Sequence, residues 1–287
     1  LYVAKYFPES SKQRVVEMVH NLQDAFAQRI GESTWMTDAT KAKAIEKLRS
    51  MRINIGYPDK WQNMEEYVQI DESKSLRANY DEIIPALRRR NLEKKWRKPV
   101  DKTVFACNPQ MVNAFYAPTF NSINFPAAIL QAPFFDAEAD DAANYGAIGA
   151  VIGHEMSHGF DDQGCQFDKD GNLNNWWTDE DKANYSQRTK VLADWFGAQE
   201  VQPGLKVNGE KTLGENIGDN GGINVAFRAL QNVMAKQPLP EKDGYSAAQR
   251  FFLSYARIWA SNVAPQFVAY LVNSDVHSPN HLRVNAA

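Results

Sequence analysis

Apolar side chains recur at helical spacing in the first part of the chain, over residues 11–52. Positions three and four apart on a helix share one face, so this spacing predicts two amphipathic helices. The first helix carries its apolar face at Val15, Val16, Val19, Leu22 and Phe26. Thr37 or Asp38 is expected to cap the second helix. A Gly-Tyr-Pro-Asp string at residues 56–59 then predicts a turn.

The pattern changes twice in the next part of the chain. Residues 61–98 are expected to be helical, with a break at Pro85, because proline has no backbone N–H to donate. The basic cluster at residues 88–98 is expected to lie on the solvated face of this amphipathic segment. β-branched and aromatic residues, separated by asparagine and proline, dominate residues 104–135, which predicts short strands and extended loops.

Helical periodicity returns in the C-terminal half. Residues 179–196 and 245–260 are each expected to form a helix, and the glycines at Pro203-Gly204 and Asn208-Gly209 predict turns between them. These elements together predict an α+β fold that is mainly α-helical.

One string carries recognisable chemistry. It is H-E-x-x-H at residues 154–158, at the end of an almost wholly apolar run over residues 144–153. His154 and His158 lie one helical turn apart on the same face, so both rings can bind one ion. Glu155 lies beside the first histidine and can reach a water on that ion. Two imidazoles and a carboxylate base at this spacing are typical of zinc hydrolases.

The string alone does not decide the function, because a surface helix with two solvated histidines also matches it by chance. Burial argues for a metal. The apolar run over residues 144–153 predicts a buried helix, and buried groups that can carry charge need partners or an ion.

A zinc site of this kind needs a third protein ligand and an open position for water. Glu215 and Asp219 lie four residues apart and therefore share one helical face. Glu215 is the candidate ligand, and Asp219 is a candidate acceptor for the outward N–H of a ligand histidine. Asp161, three residues after His158, is a second candidate acceptor. An ordinary solvated acidic pair is the alternative for Glu215 and Asp219.

Five segments, in the same order, resemble the neprilysin-like M13 family of zinc metallopeptidases along essentially the whole chain. They are N-A-F-Y at 113–116, F-P-A-A-I-L-Q-A-P-F-F at 125–135, the zinc-helix string at 151–162, G-E-N-I-G-D-N-G-G at 214–222, and D-V-H-S-P at 275–279 with Arg283 after it. The family has a longer N-terminal region and a short tail after that arginine. The chain therefore resembles a C-terminal fragment of a bacterial oligopeptidase-type member.

The resemblance implies a thermolysin-like (gluzincin) catalytic domain with a small edge sheet beside the zinc helix, where a peptide can add as an extra strand. It implies one bound Zn²⁺ per chain. Residues 1–76 would be the C-terminal part of a helical N-terminal lobe, and residues 77–287 the catalytic domain, truncated at its C-terminus. Peptide substrates and the missing N-terminal lobe of the same protein are the implied partners.

The resemblance also assigns roles at the metal site. His154, His158 and Glu215 would hold zinc. The implied catalytic and supporting residues are Glu155 as general base, His277 as donor to the oxyanion, and Asp219 and Asp161 as acceptors for the ligand histidines.

Substrate binding is implied on the same grounds. Asn113 and the Ala114 carbonyl would hydrogen-bond the peptide backbone, and Arg283 would grip a substrate carbonyl. An apolar specificity pocket would be lined by Ile129, Phe134, Ala150, Val151, Ile258 and Trp259. Plain core packing is the alternative for each of these apolar side chains.

These features predict a zinc metalloendopeptidase that cuts oligopeptides on the amino side of hydrophobic residues. A zinc hydrolase of another amide or ester is the alternative among enzymes. A zinc- and peptide-binding fragment with little turnover, because its N-terminal lobe is missing, is the alternative outside enzymes. The intact Glu155, His277 and Arg283 argue against a degenerate site.

Composition and charge narrow the classes of protein that remain possible. Hydrophobic residues make up 44% and charged residues 23%, which is ordinary for a globular protein. The net charge of -3 gives no sign of nucleic-acid binding, and no apolar run in this segment is long enough to span a membrane. Cys107 and Cys165 are too few for a disulfide scaffold and are either paired or free. The resemblance implies a place in the cell envelope or outside the cell, with the cytoplasm left open.

Overall fold

The computed structural model describes residues 1–61, 63 and 68–286, and these fall into two compact units. The first unit comprises Leu1–Tyr57 with Cys107–Ala287, and the second comprises Pro58–Ala106. The expected boundary between residues 76 and 77 lies inside the second unit. That boundary refers to the lobes of a longer molecule and stays a prediction.

The first unit begins with helices that pack through one apolar face. They are α1 (Tyr2–Tyr6), α2 (Glu9–Glu32) and α3 (Asp38–Ser50). The two helices expected within residues 11–52 are therefore confirmed. Val15, Val19 and Leu22 of α2 are fully buried, because the i, i+4, i+7 positions point to the core. Thr37 stands at the N-cap of α3, although its hydroxyl does not cap that helix.

A small sheet follows, as the β-rich composition of residues 104–135 predicts. Its strands are β1 (Arg52–Gly56), β2 (Phe115–Ala117) and β3 (Ser122–Pro126). The central strand β3 pairs in parallel with β1 and antiparallel with β2, which leaves β2 at the edge. Asn54 donates to Asn124 Oδ1 at 2.8 Å, and Asn124 donates to the Phe115 carbonyl at 3.3 Å. These two side-chain amides therefore link all three strands of the sheet.

The H-E-x-x-H string lies at the end of one continuous helical stretch. Its parts are α5 (Asp141–Asn144), a π-helical segment (Tyr145–Gly149) and α6 (Ala150–Ser157). The Ile148 N–H donates to the Phe134 carbonyl at 2.9 Å, outside the helix. A backbone donor that leaves the helical ladder accounts for the local widening, which is typical of π segments at functional sites.

The remaining elements of the first unit are mainly helical. They are a 3₁₀ turn (Gly164–Gln166), α7 (Asp179–Ala198), β4 (Glu200–Gln202), β5 (Leu205–Lys206), α8 (Leu213–Lys236), α9 (Ala247–Ile258), α10 (Pro265–Ser274) and α11 (Asn280–Asn285). The helices expected at 179–196 and 245–260 are confirmed. The mainly helical α+β fold class is confirmed as well.

The second unit contains one long helix, α4 (Leu76–Lys95). Ser75 caps it, since its hydroxyl accepts from the Ala78 N–H at 3.2 Å. The expected helix is wrong at residues 61, 63 and 68–75, which are not helical, while residues 62 and 64–67 lie outside the described part of the chain. The expected break is also wrong, because Pro85 lies inside an unbroken helix. The basic face from residue 88 onward is largely exposed, as predicted.

A buried carboxylate joins the starts of α3 and α7. Asp181 is fully buried and accepts hydrogen bonds from the Thr37 N–H (2.7 Å) and from the hydroxyls of Thr37, Thr40 and Thr178 (2.6 Å each). Burial alone would raise the pKa of Asp181, but these hydrogen bonds outweigh burial and lower the pKa to about 2. The charged carboxylate therefore stabilises the fold above the ordinary aspartate pKa of 3.8, and this stability is lost as the pH falls toward 2.

We expect Asp181→Asn to lower the free energy of unfolding at pH 7 by about 1–3 kcal/mol, because an amide cannot accept all of these hydrogen bonds. Urea unfolding followed by circular dichroism measures the change. The difference from the unsubstituted chain should shrink as the pH falls from about 4 to about 2. Asp179→Asn, at an exposed carboxylate on the same helix, is the control and should change stability by less than about 0.5 kcal/mol. Equal effects of the two substitutions would contradict the prediction.

Candidate metal centre and active site

Two helices bring the three predicted metal ligands together. His154 and His158 lie on α6, and Glu215 lies in the first turn of α8. The two Nε2 atoms are 3.0 Å apart, and Glu215 Oε2 lies 3.2 Å from the Nε2 of His154 and 3.6 Å from that of His158. Among the described residues, this is the one group of histidine, cysteine and acidic side chains whose geometry suits a metal ion.

The hydrogen bonds made by the Nδ1 atoms of the two histidines determine whether their Nε2 atoms carry a hydrogen. Nδ1 of His154 lies 3.0 Å from Asp219 Oδ1, and Nδ1 of His158 lies 2.7 Å from Asp161 Oδ2. A carboxylate accepts a hydrogen bond at each of these contacts, so Nδ1 carries the hydrogen in both neutral rings and Nε2 keeps a free lone pair. Two lone pairs then face each other and the Glu215 carboxylate.

Three electron-rich atoms at this spacing require a cation between them. Glu215 Oε2 is buried, and within the described part of the chain it has no hydrogen bond of good geometry. In tetrahedral zinc sites with metal–ligand distances near 2.1 Å, neighbouring ligand atoms lie roughly 3.4 Å apart. The observed separations bracket that value, so these residues fit a zinc ion.

The local field favours positive charge at the same place. Burial alone would lower the pKa of His154, but its hydrogen bond to Asp219 and the nearby Glu215 carboxylate raise it to about 9. For His158, the hydrogen bond to Asp161 and the nearby Glu215 carboxylate likewise outweigh burial and raise the pKa to about 11. Burial acts to raise the pKa of Glu215, yet the surrounding histidines lower it well below its ordinary value. The carboxylates that would attract protons here also attract a metal cation.

Glycines let α8 approach α6 closely enough for Glu215 to reach the histidines. A Cβ atom on Gly218 would lie 2.7 Å from the ring of His154, and one on Gly222 would lie 2.4 Å from the Ala150 carbonyl. Real side chains do not tolerate these distances without a shift of the backbone. The glycines of the G-E-N-I-G-D-N-G-G string therefore set the distance between the two helices.

Glu155 lies next to His154 on α6, beside the metal ligands. It is buried, and burial raises the pKa of its carboxyl while the two histidines oppose that shift. The backbone N–H of Tyr116, in the edge strand β2, lies near this carboxylate and acts to lower its pKa. The base candidate is therefore held between the metal ligands and the strand where a peptide is expected to add.

A cavity of about 250 Å³ opens beside Glu155. Most residues predicted to contact substrate line it, namely Asn113, Ala114, Ile129, Phe134, Ala150, Val151, Trp259, His277 and Arg283. Ile258 packs against the hydrophobic core and is not among the residues that line the cavity, so its place in the predicted pocket stays a prediction. Val112 and Tyr255 line the cavity but were missed. Tyr255 could have been found from its position one turn before Trp259 on α9.

His277 lies at the edge of this cavity and is partly exposed. Its Nδ1 contacts Asp275 Oδ1 at 2.7 Å, and its Nε2 lies 3.1 Å from Glu215 Oε2. The contact with Glu215 raises the pKa of His277 most strongly, and Asp275 adds to the rise. Sequence reasoning missed Asp275, although it stands two residues before His277 in the D-V-H-S-P string.

Arg283 is buried and forms a two-point ion pair. Its Nε and Nη2 contact the two oxygens of Asp219 at 2.6 and 2.7 Å, and its guanidinium stacks on the Trp259 ring at 3.8 Å. Asp219 therefore lies between Arg283 and His154. The structure gives this arginine a partner in the protein besides the substrate carbonyl that the resemblance implies.

The two cysteines of the chain do not form a disulfide. Cys107 and Cys165 are both free thiols, and burial raises the pKa of each to about 11. Neither thiol is therefore an activated nucleophile at neutral pH.

Comparison with known proteins agrees with this geometry. Residues 113–287 match the model described as Peptidase family M13, and residues 1–58 match the N-terminal model of the same family. The chain belongs to peptidase family M13. It is 40% identical to the neutral endopeptidase of Lactobacillus helveticus and 38% identical to human neprilysin, in each case over 99% of this chain.

Solved structures of the family superpose closely on this M13 chain. Zinc metalloprotease ZMP1 of Mycobacterium tuberculosis, in complex with an inhibitor, matches with a TM-score of 0.88 at 42% identity. PepO from Lactobacillus rhamnosis matches with a TM-score of 0.85 at 34% identity. The chain spans 43% of each of those structures and 39–42% of the two relatives named above. Within the residues that the structure describes, no helix combines the length and apolar character needed to cross a bilayer.

We expect Gly218→Ala to weaken zinc binding by roughly tenfold or more, because the new methyl group displaces the ring of His154 or separates α8 from α6. Competition with a chromogenic chelator measures the dissociation constant. Gly31→Ala is the control, since a Cβ there meets no atom within 4 Å. Unchanged zinc affinity in a folded Gly218→Ala protein would show that the helix spacing does not set the ligand geometry.

Proposed function

We propose that this chain carries the catalytic site of a zinc-dependent metalloendopeptidase that hydrolyses oligopeptides on the amino side of hydrophobic residues. One observation carries the proposal. In a chain of the M13 family, the buried Glu155 lies beside the convergent His154, His158 and Glu215, at the mouth of a largely apolar cavity. A hydrolytic site and a pocket for a bulky side chain are thus adjacent.

The metal would be held by the two imidazoles and Glu215, with one ion per chain. A bound zinc ion supplies a Lewis acid and lowers the pKa of its water to about 7. Asp219 and Asp161 keep the Nδ1 hydrogens in place, which orients both rings and increases their basicity. Arg283 offsets the charge of Asp219 in this buried position.

Glu155 acts as the general base in this proposal. Its carboxylate takes a proton from the attacking water and later delivers that proton to the leaving amine nitrogen. Burial supports this role, since a carboxyl with a raised pKa is a better proton acceptor at neutral pH. The backbone N–H of Tyr116, in the strand where the substrate would add, lies near this carboxylate.

The substrate would bind as an added strand along the exposed edge of β2. Asn113 and Ala114 precede this strand and line the cavity, so their backbone and amide groups face an extended peptide. The apolar wall formed by Ile129, Phe134 and Val151 favours a hydrophobic side chain just after the cut bond. Apolar burial of this kind sets preference rather than strict specificity.

His277 donates to the oxyanion that develops on the scissile carbonyl. Glu215 and Asp275 raise its pKa, which favours the imidazolium, and an imidazolium has an N–H on both nitrogens. Nδ1 remains bound to Asp275, and Nε2, which lies 3.1 Å from Glu215 Oε2, is the nitrogen that would donate to the oxyanion when Glu215 holds the metal. A donor fixed in this way needs no reorientation during the reaction.

A zinc- and peptide-binding fragment with little turnover is the second candidate. The chain spans about two fifths of its relatives' length, so residues outside it are available to close the site in those proteins. An extracytoplasmic location remains part of the proposal and is carried by the family resemblance alone.

Cleavage of a quenched fluorescent peptide with a bulky hydrophobic residue after the scissile bond tests the proposal. We expect turnover that a chelator abolishes and added zinc restores. Glu155→Gln should keep zinc yet lose about 10²–10⁴-fold in kcat, because general-base catalysis is removed. Glu241→Gln, at an exposed carboxylate, is the matched control. Zinc binding without cleavage by the unsubstituted chain would favour the binding fragment, and loss of zinc in Glu155→Gln would give that residue a structural role.

We expect His277→Ala to reduce kcat by about 10²–10³-fold with little change in KM, because the donor acts mainly on the transition state. Steady-state kinetics on the same peptide measure both constants. His20→Ala, on the surface of α2, should leave both unchanged. A rise in KM alone would contradict the proposed donor role.

A further inference from the structure

A lysine ammonium lies buried beneath the segment that follows the zinc helix. Lys47, in the last turn of α3, is 1% exposed. Its Nζ donates to the carbonyl oxygens of Gly159 (2.6 Å), Gly164 (2.8 Å) and Phe167 (2.7 Å). All three hydrogens of the ammonium therefore have an acceptor in the backbone of one loop, residues 158–167, which we call the Asp161 loop.

Aromatic rings complete the surroundings of this ammonium. The ring centroids of Phe160, Trp176 and Tyr116 lie 5.5, 5.6 and 6.0 Å from Nζ. No salt bridge from Lys47 to a carboxylate is found within the described residues, so carbonyl dipoles and ring faces hold the cation instead. Burial lowers the pKa of Lys47 to about 8, which leaves it mostly charged at neutral pH. A buried cation with this many donors fixes the loop more tightly than apolar packing would.

The Asp161 loop connects Lys47 to a metal ligand. The Gly164 N–H donates to Asp161 Oδ1 at 2.6 Å, and the Gly164 carbonyl accepts from Lys47. The other oxygen of Asp161 accepts from His158 Nδ1 at 2.7 Å. A continuous series of hydrogen bonds thus runs from α3 through the loop to the ring of His158.

The same turn of α3 also contacts the substrate side of the site. Asn121 donates to the Lys47 carbonyl at 3.1 Å and accepts from the Tyr116 hydroxyl at 2.9 Å. The backbone N–H of Tyr116 in turn lies near the Glu155 carboxylate. The turn of α3 that carries Lys47 is therefore linked by hydrogen bonds to the Asp161 loop and, through Asn121, to the edge strand β2.

We propose that Lys47 is a positioning residue for the zinc ligand His158, and that it acts by holding the Asp161 loop closed so that Asp161 orients the imidazole. The proposal rests on the zinc site proposed above. It assigns residues 1–57, which contribute no metal ligand, a direct part in assembling the metal centre. Without the ammonium, three buried carbonyl oxygens lose their donor, and the loop must move to solvate them.

The test measures zinc affinity in the full chain by chelator competition, together with the melting temperature of each variant. Lys47→Met keeps the length of the side chain and removes the donors, and we expect it to weaken zinc binding about 10- to 100-fold. Asp161→Asn should weaken binding to a similar extent. If Lys47 acts through Asp161, the double variant should bind zinc about as tightly as whichever single variant has the lower zinc affinity. The reason is that both changes then disrupt the same interaction. Lys43→Met, at an exposed position one turn earlier on α3, is the control.

Two results would overturn the proposal. The first is a Lys47→Met protein that melts at a lower temperature but binds zinc with unchanged affinity. The second is a double variant whose loss of zinc affinity equals the product of the losses in the two single variants. If Lys47→Met does not fold, Lys47→Gln, which keeps an amide donor, replaces it in the same cycle. Failure of both variants to fold would assign Lys47 to general stability and overturn the proposal. Zinc binding without peptide cleavage by the unsubstituted chain would refute the peptidase function alone and leave this inference standing.

Discussion

The close approach of α6 and α8 is the constraint on which the rest of the site depends. Neither helix holds a complete metal site, because His154 and His158 come from one and Glu215 from the other. Their ligand atoms converge only because glycines replace side chains where the two backbones meet. Bulkier residues at those points would move Glu215 away from the rings, so the helix contact is part of the chemistry and not only of the core.

Charges of opposite sign alternate through the buried centre. Arg283 pairs with Asp219, Asp219 with His154, and Asp161 with His158, while Glu215 lies between the rings. Lys47 follows Asp161 at the far end of the series, through backbone groups of the loop. Each carboxylate of this series has a donor or a cation beside it, and this is the condition under which ionised groups are tolerated in a protein interior. A metal cation bound between the neutral rings would be the positive partner of Glu215.

Much of this arrangement could be predicted from spacing, and the rest depends on contacts between distant segments. The i, i+4 spacing of His154 and His158 places both rings on one face whatever the surroundings, so local geometry was enough. Tertiary contacts account for the misses. The helix α4 continues through Pro85, where the sequence predicts a break, and Tyr255 lines the cavity beside Trp259. In the sequence, Lys47 is one of three lysines on α3, and only the folded Asp161 loop shows that it is buried.

The π segment before α6 has a consequence for how this chain tolerates change in length. Insertions are usually absorbed by surface loops, but Tyr145–Gly149 lies directly upstream of the two histidines with no loop in between. Each residue of an α-helix turns the chain by about 100°, whereas the i→i+5 hydrogen bonds of a π segment fit about one more residue into a turn. Deleting a single residue from this segment would therefore restore an ordinary α-helix and leave both imidazoles close to their present direction. The segment can lose one residue without turning the histidine rings away from α8.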